Sequence, residues 1–331
     1  MADTRSLKLV TGPADAPRAR AVRVAPRLGR VLSVGGGKGG IGKSLVATNL
    51  AIELSRRGEK VVLVDADLGG ANLHTGLGLE PPKRTLQDFL EGRARRIEEV
   101  LTPTGLPNLA LVSGAIDRVD SAHPKYAQKA RLVKSLTALQ ADHVVVDLGA
   151  GTHLDVLDLF LVSDHGLLVL VPEPASVENG YRFLKAAFWR RVRNVVSAHG
   201  LEAQLRAVMA DGTFRSPAEI LRALSTQHPL AGALLAQQLE VFRPRLVVNQ
   251  TRTPQDAEVG QAVVMAWRKF FGLELDYLGH VPHDPEMWHA MRARRPLLVH
   301  APDAPSARSI GLIADQLAAL DAAAGRSGRT T

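Results

Sequence analysis

The amino-acid sequence predicts an α/β protein with a mostly parallel, twisted sheet flanked by helices on both faces. Three observations carry that expectation. Short runs rich in Val, Leu and Ile recur along the chain without polar alternation, as strands covered on both faces do. Longer stretches with helical periodicity separate them, as crossover connections require. The first run leads straight into a glycine-rich stretch, GGGKGGIGKS at 35–44, that opens the first helix.

Taken in chain order, residues 1–30 are rich in Pro, Ala and Arg and hold no sustained period, so a flexible arm is expected there. The run RVLSV at 30–34 precedes a helix over 44–57; KVVLVD at 60–65 follows, and NLALVS at 108–113 comes after a short helix over 85–91. A helix over 126–139 leads to HVVVDLG at 143–149, and GLLVLVP at 166–172 leads to a long helix over 175–198. Residues 199–242 break this rhythm. They are polar and alanine-rich, and structureless connections beyond about 12 to 15 residues are uncommon, so a helical insertion in the same domain is expected. Within it, SPAE at 216–219 offers an N-cap serine, a proline at the first helical position and a capping-box glutamate. RLVVNQ at 245–250, a helix over 254–271, ELDYLGHVP at 274–282 and helices over 285–294 and 306–320 complete one domain, 31–321, with a disordered tail at 322–331. Ile310, Ile313, Leu317 and Leu320 fall on one face of the last helix, the stripe of a helix packed on a core. Trp189 and Trp267 are expected to pack, and WRRVR at 189–193 to form a solvated helix face.

Residues 37–44 match G-x-x-x-x-G-K-[ST], and the strand before and helix after give the match its required context. The pattern follows from the chemistry of holding a triphosphate such as ATP with Mg2+. Gly37, Gly39, Gly40 and Gly42 let the backbone N–H groups of this loop, including those of Lys38 and Ile41, turn toward phosphate oxygens. The helix N-terminus adds positive potential, Lys43 reaches the β and γ phosphates, and the Ser44 hydroxyl ligates Mg2+. Asp65 and Asp67 end the second run two positions apart, hence on one side of the chain, at the carboxyl edge where open α/β sheets bind ligands. Asp147 ends the HVVVD run in the same way, and Gly149 and Gly151 follow it in a flexible turn; a carboxylate there can organise the Mg2+ shell and sense the γ-phosphate. His280, His283 and His289 lie close in sequence without a helical HxxxH pair, so they are expected to border the nucleotide pocket or solvent.

Composition narrows the field further. The chain has 331 residues, 46% hydrophobic and 22% charged, the balance of a soluble globular protein. It lacks an uninterrupted apolar run of membrane-helix length and a secretory apolar segment at its start, so a cytoplasmic location is expected. With no cysteine it forms no disulfide, thiolate zinc site or cysteine-ligated iron–sulfur cluster. The net charge of +8 would attract nucleic acid or an anionic membrane, although an arginine- and alanine-rich composition produces the same excess without such a partner.

A triphosphate can be gripped without the second lysine of the loop, Lys38. Together with DADLGGANL, DLGAG and PEPASVENGY, Lys38 makes the chain resemble the MinD/ParA family of deviant-Walker P-loop ATPases. LVVNQTR and FFGLELDYLGHVPHDPEMWHAMRARRPLL make it most similar to that family's flagellar number and placement regulators, the FlhG/FleN-like branch. The resemblance covers about residues 31–320. It implies an ATP-bound homodimer in which Lys38 reaches the partner's phosphates while Lys43 serves its own nucleotide. Asp67 would position the attacking water, Asp65 would support the Mg2+ shell, and Asp147 would link switch II, at Gly149 and Gly151, to the metal. Asn249 and the 281–284 loop, with Pro282 and Asp284, would hold adenine; a side-chain amide suits that task because it both donates and accepts. The resemblance further implies slow hydrolysis and a protein partner from flagellar or polarity machinery, with DNA and anionic membrane as further candidates.

The chain departs from the family pattern in places. Gly70 stands where a bulkier residue is usual and His74 where an acid is. Residues 1–30 hold no glutamine, so the Asp-Gln-Ala…Leu-Arg motif that stimulates a signal-recognition-type GTPase is missing. The last helix lacks the Lys/Arg cluster of a membrane-binding amphipathic helix. The alternative function is a ParA-type partition ATPase that coats DNA nonspecifically. An amide ligase of the same lineage would need a substrate pocket for which the sequence has no signature.

Overall fold

The computed structural model of the protein describes residues 29–67, 70–114, 126–163 and 166–327. β1 (Arg30–Gly35) turns into α1 (Lys43–Arg56) and β2 (Val61–Ala66); short helices α2 (Leu73–Gly76) and α3 (Leu86–Leu90) precede β3 (Leu101–Pro103) and β4 (Leu109–Val112). α4 (Tyr126–Ala138) leads to β5 (His143–Leu148), and α5 (Leu154–Phe160) to β6 (Leu167–Leu170). Then come α6 (Pro174–His199), α7 (Glu202–Asp211), α8 (Pro217–Gln227), α9 (Pro229–Glu240) and β7 (Arg245–Thr251). α10 (Pro254–Phe271), β8 (Asp276–Pro282), α11 (Pro285–Arg292), α12 (Leu297–His300) and α13 (Pro305–Ser327) complete the described chain.

The described strands form one eight-stranded sheet in the order β3-β4-β2-β5-β1-β6-β7-β8. Neighbours run parallel except β3, which pairs antiparallel with β4 at one edge. Side chains alternate between two cores: Val62, Val64, Val144 and Val146 face one, while Val61, Leu63 and Val145 face the other. Leu86, Leu132, Phe160, Phe183 and Phe271, from α3, α4, α5, α6 and α10, cover the first core; Leu50 of α1 and Ile313 of α13 cover the second. Helices on both faces explain why the strands show no polar alternation in sequence.

Local signals set the helix ends. The Thr253 hydroxyl accepts the Asp256 N–H and the Asp256 carboxylate accepts the Thr253 N–H, a reciprocal box that opens α10 at Pro254. Gly272, at φ 69°, ends it in the left-handed conformation. At α8 the Ser216 hydroxyl does accept the Glu219 N–H at 3.3 Å, but the Glu219 carboxylate accepts from Arg215 N, one residue upstream of the N-cap.

Val208, Leu224, Leu235 and Leu239 of α7, α8 and α9 join the core that contains Phe188, Trp267 and Phe271. Residues 199–242 are thus packed into the first core by three helices. WRRVR is not the solvated face expected: Val192 is buried, Arg190 pairs with Asp158 at 2.7 Å, and Arg191 donates to the Gln238 carbonyl, because α6 is flanked by α5 and α9. The disordered tail expected from 322 also gives way to structure, since α13 continues to Ser327. Ala318, Ala319, Ala322 and Ala323 favour helix intrinsically, and Asp321 is held by Arg30 at 3.1 Å and by the buried Arg245 at 2.8 Å. Ile310, Ile313 and Leu317 turn into the second core. Among the described residues no helix is long and apolar enough to cross a membrane. The 1–30 arm, up to residue 28, and residues 328–331 lie outside the described residues.

Phe271 has no exposed surface; its ring stacks on Trp267 at 3.9 Å and meets Phe188 edge-on at 5.1 Å. Phe271→Ala should therefore cost about 3–5 kcal/mol of unfolding free energy, read as a lower urea midpoint at unchanged m-value. A loss below about 1 kcal/mol would show that this ring does not anchor α10 to the sheet.

Candidate nucleotide-binding site

Strand register assembles the site. β2 and β5 pair so that Asp65 stands directly beside Asp147, and β1 pairs with β5 so that Val34 stands on the other side of Asp147. The residues after Gly35 therefore leave the sheet at the level of the two carboxylates, where the strand order reverses around β1. Gly40 and Gly42 take φ of 76° and 86°, which disfavours any residue with a Cβ. Close approach adds to this: a Cβ on Gly42 would overlap Asn249 Nδ2, and one on Gly37 would overlap the Asn179 carbonyl of α6. Ile41 is buried in the second core and pins the loop.

Lys43, at the first position of α1, is buried to 7% exposure, and Nζ donates to the Lys38 carbonyl at 3.3 Å. Burial lowers its pKa, opposed by the charges of Asp147 and Asp67. The Lys38 side chain is exposed. Asp147 is nine-tenths or more buried, and burial lifts its pKa to about 7; Asp65 and Asp67 push the same way, while a Ser44 hydrogen bond and the Lys43 charge oppose. Its Oδ1 is buried with no hydrogen-bond partner. Asp67, half-buried, lies between two glycines: a Cβ on Gly70 would come to 3.3 Å, and one on Gly149 to 3.2 Å, of its carboxylate oxygens. The departure at Gly70 leaves Asp67 room that a bulkier residue would take. Gly151, at φ 98°, donates its N–H to the Gly36 carbonyl at 3.4 Å, so the turn after β5 touches the phosphate loop.

Other residues take places that the sequence does not reveal. The Asp65 carboxylate accepts three backbone N–H groups, from Asp67 at 3.3 Å, Asn72 at 2.9 Å and Leu73 at 3.1 Å, and so shapes the entry to α2. Burial raises its pKa to about 6 against those hydrogen bonds. Asn249 is buried; Nδ2 donates to the Ile41 carbonyl at 2.9 Å and Oδ1 has no partner. The β7–β8 register places Val281 beside Asn249 and Pro282 beside Thr251. Asp284, expected beside the base, is committed elsewhere. One of its oxygens accepts Glu286 N at 3.0 Å and the other accepts Ser306 N and Oγ at 3.2 and 2.8 Å, capping α11 and tying it to α13. His280, His283 and His289 are exposed. Asn179 lies within PEPASVENGY, but the approach of its carbonyl to Gly37 has no signal in the sequence.

The donor set fits Mg2+. A Ser44 hydroxyl and an unpaired carboxylate oxygen on Asp147 are hard oxygen ligands, and Mg2+ typically takes one or two carboxylates with phosphate oxygens and water.

Sheet order, loop and carboxylates define a P-loop NTPase. A family profile described as ParA, NUBPL iron-transfer P-loop NTPase, matches residues 27–183. Over 158 residues the chain is 37% identical to antiactivator FleN of Pseudomonas aeruginosa, covering 47% of this chain and 55% of FleN. It is 31% identical over 163 residues to flagellum site-determining protein YlxH of Helicobacter pylori, covering 47% of this chain and 53% of that one. The chain thus spans about half the length of these relatives. The septum site-determining protein MinD of Pyrococcus horikoshii, solved with Mg-ADP, superposes with a TM-score of 0.60 at 23% identity over 87% of this chain and 95% of that one, and shares its fold. Over residues 27–183 the chain is thus similar to the ParA/MinD P-loop NTPases, and it has their fold.

The carboxylate pKa values set a pH dependence. Asp147 holds its proton to about pH 7 in the folded chain and to only about pH 4 when unfolded. The folded state therefore binds more protons in that window, and stability falls as pH rises through it. Nucleotide-free Asp147→Asn should melt higher than the parent at about pH 8, with the difference shrinking toward about pH 4. Equal melting temperatures at both pH values would contradict the buried-charge assignment.

Proposed function

We propose that this chain is an ATP-dependent dimerisation switch with slow, partner-stimulated hydrolysis of ATP to ADP and phosphate. One observation carries the reading: the two loop lysines are divided. Lys43 is buried against Asp147 and Asp67, whereas Lys38 lends only its carbonyl to Lys43 and leaves its side chain in solvent. A phosphate-loop lysine that does not face its own site is placed to serve another chain's. On this reading Lys43 exchanges the Lys38 carbonyl for phosphate oxygens, and Lys38 crosses to the partner's nucleotide.

Ser44 and Asp147 hold Mg2+, with Asp65 supporting them through the shape it imposes on the loop. Bound there, Mg2+ would neutralise phosphate charge. Asp67, in the space left by Gly70 and Gly149, orients the attacking water, and Gly149 and Gly151 let switch II follow the γ-phosphate. The unpaired Asn249 Oδ1 accepts from the exocyclic amine of adenine, beside Pro282. The domain extends from β1 through α13 with the 199–242 helices as part of it. The printed functions of the relatives, an antiactivator and a flagellum site-determining protein, favour control of the placement or number of flagella through a protein partner.

With ATP and Mg2+, Asp67→Ala should elute as a dimer and stay so, while ADP leaves it monomeric; size-exclusion chromatography with light scattering reads this. A monomer under every condition would sink the switch. Asn249→Ala should reduce the preference for ATP over GTP by roughly tenfold, through the lost acceptor for the amine. If both nucleotides weaken equally, Asn249 only supports the loop through Ile41.

A further inference from the structure

A groove bordered by the start of α1 separates α2 from the α11–α12 turn. One cavity in it, of about 130 Å³, has mostly apolar walls, with Leu73, Met287 and Leu297 among its lining and Ser44 also in its wall. A second, more open cavity of about 470 Å³ continues past Leu77 and Gly78 toward Leu106. Arg295 and Pro296 line both. The edges of the groove touch at one point: a Cβ on Gly78 would lie 2.6 Å from the Arg294 carbonyl, and Arg294 itself sits at φ 52°.

The rim is cationic and apolar together. Arg292, Arg294 and Arg295 are exposed, and among the described residues none of them is paired with a carboxylate. Arg292 instead lies over the Trp288 ring at 4.6 Å, and Trp288 and Met291 are 52% and 59% exposed. The one nearby acid of α11, Glu286, faces His300 at 3.6 Å. Exposed apolar groups of this size beside a recessed cavity mark an interaction surface.

Volume and charge select the occupant. An apolar cavity of about 150 Å³ holds a benzene ring, so this one accepts a single leucine, methionine or phenylalanine side chain. Arg295, in the wall of both cavities, and Arg294, in the wall of the second, present unpaired guanidinium groups that seek carboxylates. We propose that the groove between α2 and the α11–α12 turn docks an acidic segment of a partner protein, one apolar side chain entering the cavity and flanking carboxylates meeting Arg294 and Arg295. A lipid surface offers negative charge but no side chain to fill a recess. Because Ser44, Asn72 and Leu73 line the cavity, the segment would touch the phosphate loop and the Asp65-held entry to α2 at once. Binding alone reads this proposal, so it stands or falls separately from ATP hydrolysis.

Gly76 lines the cavity, and a Cβ there meets nothing within 4 Å, so the side chain introduced by Gly76→Leu starts in open space at the cavity wall. Short random peptides displayed on phage would be selected on the full chain, and those enriched measured by fluorescence anisotropy. Melting curves would confirm that each variant is folded. Enriched peptides should place Leu, Met or Phe next to Asp or Glu. They should bind about tenfold or more weakly to Gly76→Leu, and to Arg294→Glu/Arg295→Glu. No enrichment, enrichment without acidic residues, or equal binding by the parent and both variants would each overturn the proposal. Retention of the parent on phosphatidylglycerol vesicles, lost in the double arginine variant and kept in Gly76→Leu, would reassign the surface to a membrane.

Discussion

Two carboxylates set side by side by strand register are what the rest of this site answers to. Because β2 and β5 pair in parallel with Asp65 opposite Asp147, two acids are brought together at the carboxyl edge of a sheet whose centre is dry. Burial and mutual repulsion both favour the protonated forms, and pKa values of about 6 and about 7 record that cost. Each neighbouring feature relieves it in part. Three backbone N–H groups converge on Asp65, Ser44 donates to Asp147, and Lys43 is drawn in from the start of α1. An orphaned oxygen remains on Asp147, the place where a divalent cation and a phosphate would add most.

The loop that brings Lys43 there is held by contacts made through missing side chains. Gly37 admits the α6 backbone and Gly42 admits the Asn249 amide of β7, so two elements that follow β6 clamp the loop. Substitution at either glycine would push the clamp open. The same closeness ties the carboxylate pair to the α2 segment, because the chain that Asp65 holds by its N–H groups runs directly into α2 and then to the contact between Gly78 and Arg294. A change at the phosphates thus has a short, packed path to the surface at α11.

Much of this was legible in the sequence, for physical reasons that also mark where legibility ends. Strands covered on both faces leave unbroken apolar runs, so the central strands can be read from composition, whereas β3, α2 and α12 are too short to show a period. The phosphate loop is legible because its chemistry demands specific residues at fixed spacing. Long-range commitments are invisible: the end of α13 is helical partly because Asp321 meets Arg30, 291 residues away, and Arg245, 76 residues away. Asp284 looks like a ligand contact in a loop near the base, yet Ser306, 22 residues on, claims its carboxylate. Asp65 looks like a metal ligand, and only the fold shows it gripping three backbone amides.

The central claim is that Lys38 acts on the nucleotide of a second chain, and mixing tests it most directly. Lys38→Ala keeps its own Asp67 but lacks the lysine to lend, and Asp67→Ala keeps the lysine but cannot orient water. Each protein alone should release almost no phosphate from ATP. In a mixed dimer the Lys38→Ala subunit receives Lys38 from its partner and completes one working site, so mixing the two should restore steady phosphate release. A mixture as inactive as its components, although the two variants co-purify as a dimer with ATP, would contradict the account.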